Sequence, residues 1–117
     1  MKILGLVASP RNLGNSEILV KEMLASLPEE AEKEMIRLPA LDIQPCRACY
    51  ACLPQDKSCV IKDQLSGLLD KIKQADAVII ASACYFLGSH TSIKTLSDRM
   101  ISILANSADF SGKRCVT

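Results

Sequence analysis

Two stretches, KILGLVA at 2–8 and DAVIIAS at 76–82, are apolar almost without interruption and carry no helical period. Runs of this kind are strands buried on both faces, and such strands belong to parallel sheets covered by helices on each side. Parallel strands cannot be joined by tight turns, so the chain between them must supply helical crossovers.

It does so three times. After the loop SPRNLGN, Ser16 is placed to cap SEILVKEMLASL, in which Leu19, Met23 and Leu27 recur at i, i+4 and i+8 before Pro28 ends the helix. KEMIRLPA is a short second strand, and residues 41–62 show no period and read as a long functional loop. Asp63 caps DQLSGLLDKIKQA, with Leu65, Leu68, Leu69 and Ile72 on one face. DAVIIAS is the third strand and ACYFLGSHT a second functional loop. A third helix over 92–106 turns Ile93, Leu96, Met100, Ile103 and Leu104 inward, and KRCVT opens a fourth strand.

This order predicts one domain over residues 1–117: an α/β, doubly wound parallel sheet in three αβα layers, with right-handed crossovers and ligand loops 9–15 and 83–90 beyond the carboxyl ends of the strands. A sheet stopping as its fourth strand begins leaves an open edge, and the expectation is a piece of a longer protein, truncated there.

Composition excludes several roles. With 14 basic and 13 acidic residues interspersed, no basic stripe exists, and neither a nucleic-acid nor a membrane partner is expected. The longest nearly apolar run, AVIIASACYFLG, falls short of the roughly 20 residues a membrane-crossing helix needs. MKILGLVASP runs straight into a motif, so no signal peptide is expected and the protein is read as cytoplasmic. No Ser-His-Asp set, H-E-x-x-H or paired-carboxylate motif supports hydrolysis, which leaves the chemistry to cofactors.

In SPRNLGNS, Gly14 permits close backbone approach, and the amides near Asn15 and Ser16 sit at the positive end of a helix, an arrangement suited to phosphate. Arg11 and the hydroxyls of Ser9 and Ser16 add donors. The same residues also describe a plain strand-to-helix turn, since one glycine without a Walker lysine or G-x-G-x-x-G is a weak signal.

The second motif is denser. Cys46, Cys49, Cys52 and Cys59 form C-x2-C-x2-C-x6-C. In a reducing compartment such a pattern points to metal before disulfides. Related runs hold 4Fe-4S clusters in ferredoxins, whereas structural zinc sites pair two C-x2-C knuckles across a longer gap. A cluster fits the spacing best; zinc, labile disulfides and a cluster-free site stay open. Cys84 and Cys115 lie in or beside strands, where cysteine is usually a small buried hydrophobe. Arg47, Tyr50 and Lys57 read as solvated loop residues, and the lone His90 as a local hydrogen-bonding group.

SPRNLGNSE after a first strand resembles the phosphate loop of the flavodoxin-like NAD(P)H-dependent FMN reductases, and ACYFLGSHTSIKTLSDRM is similar to their second flavin loop and following helix. The resemblance covers almost the whole chain. It implies that Ser9, Arg11, Gly14, Asn15 and Ser16 hold the FMN phosphate and that Cys84, Tyr85, Phe86, Leu87 and Gly88 border the flavin ring. Ser82 and Cys84 depart from the family, which more usually has a proline and an aliphatic residue there. The cysteine motif just before V-I-K-D at 60–63 resembles the iron-sulfur flavoproteins, implying a 4Fe-4S cluster on the four cysteines. The resemblance further implies ferredoxin or NAD(P)H as electron donor and a homodimer or larger oligomer.

Overall fold

The computed structural model describes residues 1–54 and 57–104, together with the backbone of 114–116. Four parallel strands, β1 (Lys2–Ala8), β2 (Glu32–Arg37), β3 (Ala77–Ser82) and β6 (Arg114–Val116), form a sheet in the order β2-β1-β3-β6. Helices α1 (Asn15–Ala25), α2 (Leu65–Gln74), α3 (Thr91–Arg99) and the single turn α4 (Ile101–Leu104) cover it, and a two-stranded hairpin, β4 (Cys84–Tyr85) and β5 (Gly88–Ser89), follows β3. The chain winds outward from β1 to β2 and then returns to place β3 on the other side of β1. The carboxyl ends of β1 and β3 therefore flank the reversal point where such sheets bind ligands. The expected doubly wound architecture is present, and the segment read as the start of a fourth strand pairs with β3 through Ala77–Arg114, Val78–Cys115 and Ile79–Val116.

The continuous apolar runs have a simple cause. Alternate residues of β1 enter different cores: Ile3 and Val7 meet Val20 and Leu24 of α1, while Leu4, Leu6 and Ala8 meet Leu65, Leu68, Leu69 and Ile72 of α2 and Leu96 beyond. β3 divides likewise, Ile79 to the first face and Val78 to the second. Because both faces are covered, polar residues stand only at the strand ends, Lys2 and Ser82, where the chain is exposed.

Gly5 sets how closely α1 approaches. A Cβ built there would lie 2.5 Å from Val20 Cγ1 and 3.1 Å from Leu24 Cδ1. Since a β-branched side chain has little rotamer freedom in a helix, α1 itself would have to move. Gly5→Ala is expected to destabilise the fold by about 1–3 kcal/mol, as overpacking does, read as a lower urea midpoint with an unchanged denaturant slope.

Three local expectations are corrected. The buried face of α1 is Glu17, Val20 and Leu24; Met23 and Leu27 pack at its margin, and Leu19 is 55% exposed. The i, i+4 spacing from Leu19 was a real period, but the face docked over Gly5 lies beside it. Ser16 is not the cap: Gly14 is, and no side chain caps the helix. The third helix is broken at Met100 into α3 and α4, and Leu104 is 60% exposed while Ile93, Leu96, Met100 and Ile103 pack inward. Its expected continuation to Asn106 and the side chain of Cys115 lie outside the described residues. No helix among the described residues is long and apolar enough to cross a membrane.

Candidate functional site

Two clefts lie on loops that leave the carboxyl ends of strands. The first, of about 360 Å³, is lined by Ser9, Arg11, Gly14, Asn15 and Ser16 on one side and by Ser82, Ala83, Cys84 and Tyr85 on the other. The two loops singled out in the sequence thus form opposite walls of one cavity. Gly14 has an ordinary extended conformation, and a Cβ there would touch only Arg11 at 3.4 Å, so conformational freedom is not what the position uses. Its contribution is an open helix start. The Gly14 carbonyl accepts from the N–H groups of Glu17 and Ile18, while the earlier amides of the helix, without a side-chain cap, meet the cleft with their partial positive charge.

The loop is held from beneath by residues the sequence reading missed. Glu17, buried among apolar neighbours, accepts from the Leu13 N–H at 2.9 Å and pairs with Lys21 at 2.7 Å and with Arg37 Nε at 3.5 Å. The hydrogen bond from Lys21, followed by that from Leu13, holds the Glu17 carboxyl below its usual range despite burial. Arg37, at the end of β2, donates through its NH2 group to the carbonyls of Ser9 and Pro10 at 3.4 and 3.3 Å. Leu13, at φ 53°, is thereby fixed in a left-handed conformation that costs a non-glycine residue about 1–2 kcal/mol. A carboxylate three and seven residues before Val20 and Leu24 on the buried face was the signal available in the sequence.

The opposite wall is the hairpin. Its base is tied to the sheet by Ala83 N–H to the Ala8 carbonyl and by His90 N–H to the Ala83 carbonyl, each 3.1 Å. Phe86 and Leu87 form its tip with φ of 43° and 64°, a left-handed pair matching the turn that suits twisted hairpins. Both side chains are fully exposed; with Gly88 they stand outside the cleft lining, beyond Cys84 and Tyr85. Cys84 is exposed, correcting the expectation of a small buried hydrophobe. His90 caps α3, its Nδ1 accepting from the Ser92 N–H at 3.3 Å, which is the local role expected of it.

The second cleft, of about 290 Å³, is lined by all four cysteines of the motif together with Arg99 and Ser102. None of the four is in a disulfide: Cys46 and Cys49 are exposed, Cys59 half-buried and Cys52 buried. The backbone turns sharply between them, with Ala48 and Tyr50 left-handed at φ 51° and 55°, and the Ala48 N–H donates to Cys46 Sγ at 3.4 Å. Among the described residues no three Cys, His, Asp or Glu side chains converge on a point that could hold one metal ion. The thiols instead ring a space.

A buried ion pair closes the base of this loop. Arg99 and Asp63, with side chains 1% and 2% exposed, meet through NH1–Oδ2 at 2.7 Å and NH2–Oδ1 at 3.2 Å. Arg99 NH1 also donates to the Gln44 carbonyl at 2.7 Å, and the Gln44 N–H donates to Asp63 Oδ2 at 2.8 Å, so one guanidinium binds both ends of the segment carrying the cysteines. Burial alone would raise the Asp63 pKa, but the hydrogen bond from Arg99 and the N–H groups of Gln44 and Leu65 hold it below its usual value. Burial likewise pushes Arg99 down, and Asp63, with a smaller effect from Cys59, more than offsets this. Asp63 was read only as a helix cap. It does accept from the Leu65 N–H at 3.1 Å, but the N-cap position belongs to Gln64.

Comparison with known proteins agrees with this geometry. The sequence profile of the NADPH-dependent FMN reductases matches residues 1–116. An iron-sulfur flavoprotein of Methanocaldococcus jannaschii is 40% identical over 100 residues, covering 85% of this chain and 51% of that protein. One of Methanosarcina thermophila is 33% identical over 102 residues, covering 86% and 53%. The chain thus spans about half the length of these relatives. Among solved structures, a flavone reductase superposes with a TM-score of 0.66 at 29% identity over 86% of this chain and 30% of its own. RosB shares the fold at a TM-score of 0.63 and 20% identity, over 82% and 40%. With its parallel flavodoxin-like sheet and cleft at the strand reversal, the chain belongs to the NADPH-dependent FMN reductase family of oxidoreductases.

Proposed function

We propose that this chain is the FMN-binding part of an iron-sulfur flavoprotein that passes electrons between FMN and a 4Fe-4S cluster. The observation carrying the reading is that all four cysteines of C-x2-C-x2-C-x6-C border one cleft. A zinc ion needs its sulfurs on one centre, whereas a cubane takes one thiolate at each of four irons spread around a body. Four thiols at this compact spacing on one cleft suit a cluster, and the relatives named above as iron-sulfur flavoproteins support it.

In this reading Cys46, Cys49, Cys52 and Cys59 are ligands. Ser9, Arg11, Asn15, Ser16 and the open start of α1 bind the FMN phosphate, with Gly14 keeping the approach clear. Cys84 and Tyr85 line the ring side, and Phe86, Leu87 and Gly88 supply an apolar edge to it. When bound, FMN supplies two-electron exchange and the cluster one-electron exchange. The chain's part is to hold the phosphate, shield the ring edge and fix the four thiols. Ferredoxin or NAD(P)H is the donor, the assembly a homodimer or larger, and the setting the cytoplasm.

Chemical analysis of anaerobically purified protein tests this. About four irons, four sulfides and one FMN per chain are expected. Stoichiometric FMN with negligible iron and sulfide would identify a cluster-free reductase of FMN or quinones, and protein with zinc or no cofactor would identify a binding module.

A further inference from the structure

Among the described residues two buried side-chain nitrogens have no hydrogen-bond partner, Arg37 Nε and Arg99 Nε. The first is accounted for by charge, 3.5 Å from the Glu17 carboxylate. The second is not. Arg99 NH1 and NH2 are engaged by Asp63 and the Gln44 carbonyl, and the remaining N–H belongs to a side chain only 1% exposed on the wall of the cleft ringed by the four cysteines. A buried guanidinium N–H left without an acceptor is unfavourable, more so for a charged group than for a neutral one. A position that keeps one is built for an acceptor that arrives later.

Its surroundings define that acceptor. Arg99 and Cys59 border this cleft and also the neighbouring one of about 310 Å³, so the guanidinium and that sulfur share a wall. Asp98 is the carboxylate lining the cysteine cleft, and it is occupied by Lys94 on the outer face of α3. The side chain of Cys59 already interacts with the Arg99 guanidinium, which points to sulfur as the acceptor: a cysteine thiolate bound to metal, or sulfide within the bound group.

We propose that Arg99 is a positioning and potential-setting residue of the cluster site: its NH1 and NH2 groups close the two ends of the cysteine loop, and its Nε–H donates to sulfur at the Cys59 side of the cleft. This inference rests on the cluster reading above. Each electron accepted by a thiolate-held cluster adds a negative charge, and hydrogen bonds to its sulfurs favour the more negative state. Arg99 therefore raises the reduction potential, and Asp63, whose charge opposes it, lowers it.

The test compares the unaltered protein with Arg99→Lys and Asp63→Asn, each isolated anaerobically and assayed for iron and sulfide, then titrated with dithionite at the cluster absorbance. Arg99→Lys keeps a cation opposite Asp63 but has no Nε–H. Its midpoint is expected to fall by the equivalent of about a tenfold change in the one-electron equilibrium, 59 mV. Asp63→Asn, which removes the opposing charge, is expected to raise the midpoint while it loosens the loop. Opposite responses would not follow from a purely structural role, which would shift both variants the same way. A readout free of cofactor accompanies it: in apoprotein, Arg99→Lys should increase the rate of iodoacetamide alkylation at Cys52 several-fold as the loop opens. If Arg99→Lys does not fold, Asp63→Asn combined with Arg99→Gln, which leaves no unpaired charge, takes its place, with a midpoint expected to fall below that of Asp63→Asn alone. A cluster-bearing Arg99→Lys variant with an unchanged midpoint, or midpoints falling equally in both single variants, overturns the role of Arg99 and leaves the cluster reading intact. Absence of iron and sulfide from the unaltered protein overturns both.

Discussion

Cys49→Ser is expected to lose nearly all iron and sulfide while keeping most of its FMN. Cys49 is the second of three thiols at intervals of three on a backbone forced into left-handed turns at Ala48 and Tyr50, so no neighbouring side chain can take its place without refolding the loop. A serine hydroxyl is a harder, far less acidic ligand than a thiol and a poor substitute toward iron-sulfur groups. The cleft proposed to hold FMN shares no lining residue with the cysteine cleft, which is why the loss should be selective. Iron and sulfide assays beside flavin absorbance measure it, and a variant with full iron and sulfide content would remove Cys49 from the ligand set.

Asp63→Ala has the largest expected effect on stability. It leaves the Arg99 guanidinium buried without its counter-charge, and breaking a buried pair in this way typically costs about 3–5 kcal/mol. Against the roughly 5–15 kcal/mol that holds a domain folded, the urea midpoint should fall by about a fifth or more. Because the Asp63 pKa is lowered in the fold, the stabilisation is fully present above the ordinary carboxylate range and fades as pH falls through the lowered value. The unaltered protein should therefore lose stability on acidification more steeply than Asp63→Ala does. Pairing Asp63→Leu with Arg99→Met should restore much of the loss, since apolar replacements leave no orphaned charge. A fall equivalent to less than 1 kcal/mol for Asp63→Ala would mean that the pair is not holding the loop.

What the sequence made legible follows the range of the interactions. The strands could be read because each is buried on both faces, and the cysteine and phosphate motifs because their spacing is local. The face of α1 was misread because Leu19, Met23 and Leu27 offer a period as regular as Glu17, Val20 and Leu24. The decisive clue was Gly5, a glycine inside a strand that marks where another element packs closely. The hairpin at 84–89 carries Phe-Leu at its tip, where Asn-Gly would have announced the turn. The closure of the cysteine loop joins residues 36 apart in sequence, and Asp63 offered a sufficient local explanation as a cap.

The most direct test of the account is the anaerobic absorption spectrum of freshly purified protein before and after dithionite. The account predicts flavin bands on a broad shoulder that bleaches on reduction, with about four irons per chain in the same sample. Flavin bands without the shoulder, from protein never exposed to oxygen or chelator, would contradict it.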